Sequence, residues 1–569
     1  MKKPLTFSFA QLNFTIGDLS GNIALMTAAA RKAAAAGARV VVFSELALTG
    51  YPPRDLLDEP DFLARINMAL ADLRDASRAT PALYWILGAP TQRRGPGKAL
   101  ASSLLALCNG ETVLTYAKQL LPSYNIFDER RYFEPGPDVA ATLEIDGVRI
   151  GFLICEDAWN DEGRDYPHNP LLRLAAAKPD VVVTLNASPS NIGKREERHA
   201  RFVKTSRRHG FPMVYVNQIG GHDQLVFDGA SFAVTPEEGV VFEAARFEEE
   251  VVTLQFHKGV FSRADGGPLS PIAATGLPSM AFYHRQIVLG LGDYARRCGF
   301  KKAVIGSSGG IDSALTLALA AEALGPENVV AVTMPSHFSS AGSVDDSVAL
   351  CRNLGIKLFQ HPIQDLVAAY EQGFRAAFGK PLKGLALENL QARARGVVLM
   401  EYSNQFGALL LTTGNKSEIS VGYCTLYGDT NGGLGLIGDL YKTEVFALSR
   451  HLNESAGREL IPETIIEKPP SAELAPNQKD TDSLPPYPEL DTILKILIEG
   501  ELLSAEERET VRADYARLAK TRDGAALIVR VRRMIWQSEY KRRQAPPILR
   551  LRARAFGSGR KMPIAAKYE

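Results

Sequence analysis

This sequence has few cysteines, almost no net charge and no long apolar run, and each of these features argues against a class of protein. The five cysteines lie far apart without C-x-x-C spacing, which argues against a zinc ribbon or a disulfide framework and favours a reducing cytoplasm. A formal net charge of +1 gives no reason to expect nucleic acid or a membrane as the principal partner. No run is long and apolar enough to span a bilayer. Gln11, Asn13 and Asp18 interrupt the start of the chain, so we expect no signal peptide.

The length and composition indicate a globular protein of several domains. A chain of 569 residues is too long for one ordinary core, which predicts roughly two to four domains. Its 46% hydrophobic and 23% charged residues are typical of a soluble globular protein. Glycine and proline are concentrated in residues 262–271, where a sheet is not expected to continue. We therefore predict a first domain over residues 1–262, a linker over 263–280 and a second domain over 281–569.

The first domain alternates apolar strands with helices and carries three polar residues in distinctive places. Continuous apolar strands joined by helices predict sheets that are covered by helices. Glu45 follows the strand 39–43, Cys155 follows the strand 148–154, and Lys118 lies among apolar and turn residues. Taken singly, each has an ordinary structural interpretation, namely a solvated glutamate, a packed thiol and a surface lysine.

In this order along the chain, the three residues resemble the catalytic set of the nitrilase and amidase superfamily. The likeness covers roughly residues 3–260 and includes the spelling Asn186-Ala187-Ser188-Pro189. It implies a four-layer α-β-β-α sandwich. By the same likeness Glu45 is the general base, Cys155 is the nucleophile, and Lys118 is the cation that holds the oxyanion of the tetrahedral intermediate.

The second domain is organised around a glycine-rich turn between a short apolar strand and an apolar helix. The turn reads Gly306-Ser307-Ser308-Gly309-Gly310-Ile311-Asp312-Ser313. Its backbone N–H groups and the positive end of the helix favour an anion. The alternative interpretation is a strand-to-helix turn of small residues that binds no ligand. No Gly-Lys-Ser/Thr follows, which excludes the usual nucleoside-triphosphatase loop. The spelling Ser-Gly-Gly-Ile-Asp-Ser resembles the pyrophosphatase loop of enzymes that adenylate a substrate with ATP.

Strands continue to alternate with helices after this turn, which predicts a doubly wound parallel sheet with ligand loops at the strand ends. Three polar clusters follow in order, over residues 388–395, 412–418 and 423–444. In the first cluster Asn389 and Arg393 lie one helical turn apart, so a helix would present both on one face. Each cluster alone has a structural interpretation, as a helix face, a turn or a loop.

Together with the glycine-rich turn, the three clusters resemble NAD synthetases, and nearly the whole chain resembles the glutamine-dependent NAD synthetase family. The resemblance implies a pyrophosphatase-loop domain of the adenine-nucleotide α-hydrolase type. It also implies a carbon–nitrogen ligase that converts deamido-NAD, ATP, L-glutamine and water into NAD, AMP, pyrophosphate and L-glutamate. Ammonia released at Cys155 would attack a deamido-NAD adenylate. ATP is then a substrate, Mg²⁺ the required ion and NAD the product.

The resemblance also assigns residues to each ligand. The positions for ATP are Gly306, Ser307, Ser308, Gly309, Gly310, Ile311, Asp312, Ser313, Thr413, Lys442 and Ser471. The positions for deamido-NAD are Asn389, Arg393, Glu418, Tyr423, Cys424, Thr425, Leu426 and Lys541. The positions for glutamine are Tyr124, Ser188 and Lys194. Asp312 and Glu418 are the implied ligands of Mg²⁺, in keeping with the oxygen ligands that this ion prefers.

Three further expectations concern how such a protein would work. Ammonia is mostly protonated near neutral pH and is then not nucleophilic, so we expect an internal channel from Cys155 to the nucleotide site. By resemblance, we expect a homo-oligomer, at least a dimer, that forms through the second domain. Proline, aspartate and serine are frequent in residues 469–488, which predicts a mobile loop over the active site.

Other functions fit the sequence less well. Amidotransferases that make GMP or asparagine share a similar loop, but they use an N-terminal cysteine or a cysteine–histidine pair, whereas residue 2 is Lys2 and no Gly-x-Cys-x-Gly surrounds Cys155. RNA sulfur-transfer enzymes usually have paired cysteines, and Cys298, Cys351 and Cys424 form no such pair. The C-terminal tail is basic but lacks aromatic interleaving, which argues against RNA binding. The intact catalytic set argues against a non-catalytic nucleotide-binding protein.

Overall fold

The chain forms two compact units. Residues 1–190, 194–220 and 226–276 make the first unit, and residues 191–193, 221–225 and 277–569 make the second. The computed structural model describes residues 4–273, 276–475, 478–557 and 559–566. Ala274 and Thr275 of the predicted linker lie outside the described residues. Within those described ranges, no helix combines the length and the apolar character needed to cross a membrane.

The first half of the chain contains strands β1 to β15 and helices α1 to α4. The strands are Leu5–Gln11, Val40–Val42, Tyr84–Gln92, Leu100–Cys108, Glu111–Ala117, Ala141–Ile145, Val148–Ile154, Val181–Asn186, Met213–Asn217, Ile219–His222, Leu225–Asp228, Phe232–Thr235, Gly239–Glu243, Glu250–His257 and Val260–Arg263. The helices are Leu19–Ala35, Pro60–Ser77, Pro170–Ala176 and Lys194–His209.

The first unit is a four-layer sandwich of two helix-covered sheets, as the resemblance implied. One sheet has the strand order β15-β14-β1-β2-β3-β4-β5 and the other β13-β12-β9-β8-β7-β6. Phe7 of the first sheet shares an apolar cluster with Phe152 and Val183 of the second, so the sheets face each other. Val182 points the opposite way and packs with Phe202 of α4. Because both faces of β8 are buried, its sequence is a continuous apolar run rather than an alternating one.

The second half of the chain contains strands β16 to β20 and helices α5 to α16. The strands are Lys302–Gly306, Val329–Thr333, Lys357–Gln360, Ala408–Thr412 and Leu434–Gly435. The helices are Ser279–Arg297, Ile311–Leu324, Ala341–Leu354, Gln364–Phe378, Leu385–Phe406, Lys416–Val421, Lys442–Ala456, Glu463–Glu467, Tyr487–Leu494, Ala505–Ala519, Arg522–Gln537 and Glu539–Arg542.

The second unit contains the predicted doubly wound parallel sheet. Its strand order is β18-β17-β16-β19-β20, and every neighbouring pair is parallel. Val304 of β16 and Leu410 of β19 pack with Val398 of α9, while α6 also contacts β16 and β17. The strand order reverses between β16 and β19, and ligands of such sheets bind at this switch point. The loops after these two strands therefore define the expected binding crevice.

The segment 469–488, for which the sequence predicts a mobile loop, contains residues that pack. Asp480 is 5% exposed and Leu484 is 4% exposed. Glu473 accepts a hydrogen bond from Ser343 Oγ over 2.6 Å. Pro476 and Asn477 lie outside the described residues. Parts of this segment are thus attached to the second unit by buried side chains and hydrogen bonds.

A buried ionic cluster around Arg552 joins several elements of the second unit. The fully buried guanidinium donates to Glu499 Oε1 over 2.8 Å, to Glu444 Oε1 over 2.6 Å and to Glu507 Oε2 over 2.6 Å. Glu444 lies in α11 and Glu507 in α14. Removing one partner of a buried ion pair leaves the other charges uncompensated. The cluster is therefore a stability determinant of this unit.

We expect Arg552→Met to destabilise the second unit by about 3–5 kcal/mol, because the buried carboxylates of Glu444 and Glu499 and the partly buried one of Glu507 lose the cation that all three share. Urea unfolding monitored by tryptophan fluorescence and circular dichroism would measure the loss. The matched control is Arg512→Met, since Arg512 pairs with Glu501 on an exposed surface and exposed pairs contribute little. Equal unfolding midpoints for the two variants would contradict this prediction.

Candidate active sites

Glu45 lies in the turn that follows β2, and the adjacent strand fixes the course of that turn. A Cβ atom at Gly88 of β3 would lie 2.2 Å from the backbone nitrogen of Leu46, so the close approach requires glycine. Glu45 is 1% exposed, and its Oε2 accepts the N–H of Ala187 over 3.2 Å. Burial raises the pKa of Glu45 to about 7, although Lys118 lowers it. A carboxyl group with such a pKa can exchange a proton near neutral pH.

Lys118 follows β5 directly and is enclosed by two carboxylates. Its Nζ donates to Glu45 Oε1 over 2.6 Å and to the two oxygens of Glu129 over 2.9 and 2.7 Å. Burial lowers the pKa of Lys118, but Glu129 and Glu45 raise it well above its usual value. The side chain is therefore a fixed positive charge in a site closed to solvent.

Cys155 follows β7 directly and begins a short 3₁₀ helix, Cys155–Ala158. Its φ of +41° belongs to the left-handed region, which residues other than glycine seldom adopt and which often marks functional sites. Burial and the charge of Glu45 raise the pKa of Cys155 well above its usual value, while Lys118 lowers it. Both predicted partners thus act on the charge state of the thiol, and the same two partners are hydrogen-bonded to each other.

Glu129 is a member of this group that the sequence did not reveal. It is 6% exposed and also accepts a hydrogen bond from the hydroxyl of Tyr51 over 2.9 Å. Glu129 begins a 3₁₀ turn that continues with Arg130 and Arg131. A glutamate followed by two arginines is typical of a solvated turn, so the local pattern carried no signal of burial.

Two of the predicted glutamine-binding residues lie beside this group. Tyr124 donates its hydroxyl to Glu156, the neighbour of Cys155, over 3.1 Å. Ser188 is 4% exposed and directly follows Ala187, whose N–H reaches Glu45. Both residues thus lie on or against the turns that carry Glu45 and Cys155.

The third predicted glutamine-binding residue, Lys194, begins α4. Its Nζ lies 2.9 Å from Glu197 Oε2 and 4.1 Å from the ring centre of Trp159. Trp159 ends the 3₁₀ helix that begins at Cys155. Lys194 therefore contacts the turn that carries the thiol, at the end farther from Cys155.

In the second unit, the residues 306–313 form the predicted strand, turn and helix start. Ser308 Oγ lies 3.2 Å from Ser313 Oγ, and Gly310 donates its N–H to Ser308 Oγ over 3.2 Å. Gly309 has a φ of +74°, and a Cβ atom there would lie 2.4 Å from the carbonyl oxygen of Ser343. The turn therefore requires glycine at this position, and it places hydroxyl and N–H groups at the start of α6.

Asp312 in the first turn of α6 meets the loop that follows β19. Asn415 donates to Asp312 Oδ1 over 2.8 Å. Lys442 donates to Asp312 Oδ2 over 2.6 Å and to Glu418 Oε1 over 2.9 Å. Burial raises the pKa of Glu418 to about 7, while Lys442 lowers it and Asp312 raises it. One buried ammonium group thus holds both predicted Mg²⁺ ligands.

Most of the predicted deamido-NAD residues contact one another. The contacts join Thr425 Oγ1 to Asn389 Oδ1 (2.8 Å), Arg393 Nε to the carbonyl of Leu426 (3.1 Å) and Lys541 Nζ to the carbonyl of Cys424 (2.7 Å). Tyr423 donates its hydroxyl to Asp480 over 3.3 Å. A cavity in this unit is lined by Glu418, Cys424 and Lys541, together with residues of the loop after β19.

For two predicted ATP residues, Thr413 and Ser471, no hydrogen bond to Asp312, Glu418 or Lys442 is seen. Thr413 follows β19 directly and is half-buried. Ser471 is exposed, and its hydroxyl donates to the carbonyl oxygen of Gln478 over 2.5 Å. The structure therefore does not bring Ser471 to Asp312 by a direct hydrogen bond.

The predicted metal ligands fit Mg²⁺ chemically. Across the described ranges, no cluster of three or more histidine, cysteine, aspartate or glutamate side chains could hold a metal ion. Asp312 and Glu418 nevertheless direct carboxylate oxygens at one cation, Lys442. Mg²⁺ usually takes only one or two protein carboxylates and completes its shell with phosphate and water oxygens. Two converging carboxylates beside the glycine-rich turn satisfy that requirement.

Comparison with known sequences matches both halves of the chain. The profile of the carbon-nitrogen hydrolase family matches residues 8–260, and the NAD synthase profile matches residues 283–545. A glutamine-dependent NAD(+) synthetase from Synechocystis sp. is 42% identical over 577 residues, covering 99% of each chain. Another from Thermotoga maritima is 37% identical and covers 100% of this chain and 99% of its own.

Comparison with solved structures gives the same result. The glutamine-dependent NAD+ synthetase from Acinetobacter baumannii, solved in complex with ADP, has a TM-score of 0.76 and 34% identity. The match covers 99% of this chain and 98% of that chain. The enzyme of the same name from Cytophaga hutchinsonii has a TM-score of 0.79 at 20% identity, which supports the fold.

Proposed function

The chain belongs to the family of glutamine-dependent NAD(+) synthetases, and we propose the following chemistry for its two sites. Deamido-NAD, ATP, L-glutamine and water give NAD, AMP, pyrophosphate and L-glutamate. The observation that carries the proposal is that one chain holds both a buried glutamate–lysine–cysteine group and a glycine-rich anion turn facing a lysine between two carboxylates.

The first site would release ammonia from glutamine. Cys155 attacks the side-chain amide while Glu45 takes the thiol proton and returns it to the leaving amine. Lys118 stabilises the oxyanion of the tetrahedral intermediate, and its pairing with Glu129 keeps it charged when Glu45 becomes protonated. Water then releases glutamate from the thioester. We assign Tyr124, Ser188 and Lys194 to glutamine binding because they match the glutamine-binding positions of the family.

The role of Glu45 predicts a pH dependence of the glutaminase reaction. Only the ionised carboxylate can accept the thiol proton, and burial raises the pKa of Glu45 to about 7. Glutamate release, as kcat/KM for glutamine, should therefore fall as the pH drops below about 7 and level off above it. A profile between about pH 5.5 and 8.5 tests this. The residual kcat/KM of Glu45→Gln should not fall in this way at low pH. A kcat/KM for the parent protein that does not change with pH would contradict the assignment.

The second site would adenylate deamido-NAD. The nicotinate carboxylate attacks the α-phosphorus of ATP, and pyrophosphate leaves from the turn 306–313. Lys442 neutralises charge on the phosphates, and we assign Thr413 and Ser471 to ATP by resemblance, the latter after movement of its segment. Asp312 and Glu418 would hold Mg²⁺, which when bound neutralises phosphate charge. Ammonia then attacks the adenylate carbonyl and AMP leaves.

The residues around Asn389 would bind deamido-NAD. Support comes from the contacts that join Asn389, Arg393 and Lys541 to the loop containing residues 423–426, and from the cavity lined by Glu418, Cys424 and Lys541. We extend the proposal to an internal ammonia channel, since ammonia in water would be largely protonated.

We also propose a cytoplasmic homo-oligomer of at least two chains. The cytoplasmic location rests on the five cysteines, none of which forms a disulfide. The oligomer is supported by exposed apolar side chains on α8 and α9, where Tyr370, Phe378 and Leu385 are 56%, 68% and 71% exposed. An apolar surface of this kind is often covered by another chain.

A donor comparison tests the proposed function. The purified full chain receives ATP, Mg²⁺ and deamido-NAD with either glutamine or ammonium chloride, and NAD, AMP and glutamate are quantified. We expect NAD and AMP in equal amounts with both donors and glutamate with glutamine alone. NAD from neither donor would overturn the proposal. NAD from ammonium only would overturn the glutaminase role of the first unit.

A further inference from the structure

Asp157 lies two residues after Cys155 and is fully buried. Its Oδ1 accepts the backbone N–H groups of Gln119 and Leu120 over 3.0 and 2.9 Å. Its Oδ2 accepts the hydroxyl of Tyr116 over 2.8 Å and the N–H of Ile154 over 3.2 Å. One carboxylate thus receives four hydrogen bonds, and its burial is compensated by them.

The donors of these hydrogen bonds lie on the segments that carry two of the proposed catalytic groups. Gln119 and Leu120 come directly after Lys118, and Tyr116 lies two residues before it. Ile154 comes directly before Cys155. Asp157 therefore links the backbone that follows Lys118 to the backbone that precedes Cys155. The hydrogen bonds of the Lys118 ammonium group go to Glu45 and Glu129, and neither residue belongs to the Cys155 turn.

We propose that Asp157 is a positioning residue for glutamine hydrolysis. It fixes the Lys118 segment relative to the Cys155 turn, so that the ammonium group lies where the oxyanion forms on the carbon attacked by Cys155. The proposal rests on the roles assigned above to Lys118 and Cys155. The strained backbone of Cys155, with its φ of +41°, needs such a restraint because the conformation is disfavoured on its own. A catalytic group displaced by about 1 Å can cost 10²-fold in rate.

Asp157→Asn removes one specific part of this arrangement. The amide oxygen can still accept from Gln119 and Leu120, and the hydroxyl of Tyr116 can rotate to accept from the amide nitrogen. The amide nitrogen then faces the N–H of Ile154, donor against donor. The substitution therefore keeps the attachment to the Lys118 segment and breaks the attachment to the Cys155 turn.

The test measures glutamate release, ammonium-driven NAD synthesis and alkylation of Cys155 by iodoacetamide in the full chain. For Asp157→Asn we expect kcat for glutamate release to fall about 10- to 100-fold with little change in KM. Alkylation should slow at pH values below the pKa of the thiol, because Lys118 no longer favours the thiolate there. NAD synthesis from ammonium chloride should stay within about twofold of the parent, since the second site is unchanged.

Asp161→Asn is the matched control, because Asp161 is another buried carboxylate of this unit, bonded to His209 over 2.6 Å and not to the Lys118 segment. It should leave glutamate release near the parent rate. Glutamate release by Asp157→Asn at the parent rate would overturn the proposal. If Asp157→Asn loses both activities through misfolding, Asp157→Ser decides, because its single short hydroxyl cannot accept from both segments at once. A selective fall in glutamate release and alkylation supports the proposal, and parent values for both overturn it. NAD formation by the parent from neither donor would instead reject the proposed function.

Discussion

Cys155→Ala should abolish NAD synthesis from glutamine and leave synthesis from ammonium chloride intact. The nucleophile is lost, and neither Glu45 nor Lys118 can form the thioester in its place. We expect glutamine-driven NAD formation to fall by at least about 10³-fold, as removal of a covalent nucleophile does in other hydrolases. The measurement is NAD and glutamate formation with each donor at saturating ATP and deamido-NAD.

The control for this substitution is Cys298→Ala, which removes an exposed thiol outside the first unit. It should retain both activities. Equal loss of glutamine-driven and ammonium-driven synthesis by Cys155→Ala would contradict the assignment of two separate sites. Retention of glutamate release would mean that the chain uses another nucleophile.

The strand ends made part of the first site predictable from sequence. Glu45 and Cys155 each follow a short apolar run, and such residues line sites at the edges of sheets because the strand fixes where the chain emerges. Lys118 gave a weaker signal and gained meaning only beside the other two. Glu129 gave none, because its burial depends on Lys118 and Tyr51, which approach it only in the folded unit. Long-range packing of this kind is not encoded in local patterns.

In the second unit, the predicted site residues meet where the order of strands in the sheet brings their loops together. The turn after β16 and the loop after β19 are over a hundred residues apart in the chain, yet the two strands are neighbours at the switch point. Asp312 therefore meets Asn415 and Lys442. The placement of Ser471 could not be foreseen, since no strand or helix fixes that segment locally. Its hydroxyl bonds within its own loop.

Lys442→Met should remove NAD synthesis with both nitrogen donors, the opposite pattern to Cys155→Ala. Methionine keeps the length and apolar stem of the side chain but removes the ammonium group that binds Asp312 and Glu418. We expect a loss of about 10²- to 10³-fold in NAD and AMP formation, the scale of removing one charge-stabilising group from a transition state.

The two substitutions together separate the steps of the reaction. Lys442→Met leaves every contact of the Glu45, Lys118 and Cys155 group in place, so alkylation of Cys155 should proceed at the parent rate. Lys520→Met, at an exposed position, controls for loss of a lysine. Ammonium-driven synthesis by Lys442→Met at the parent rate would reject its role at the phosphates. Because adenylation precedes ammonia attack, AMP and NAD must fall in the same proportion, and AMP release without NAD would place the defect after adenylation instead.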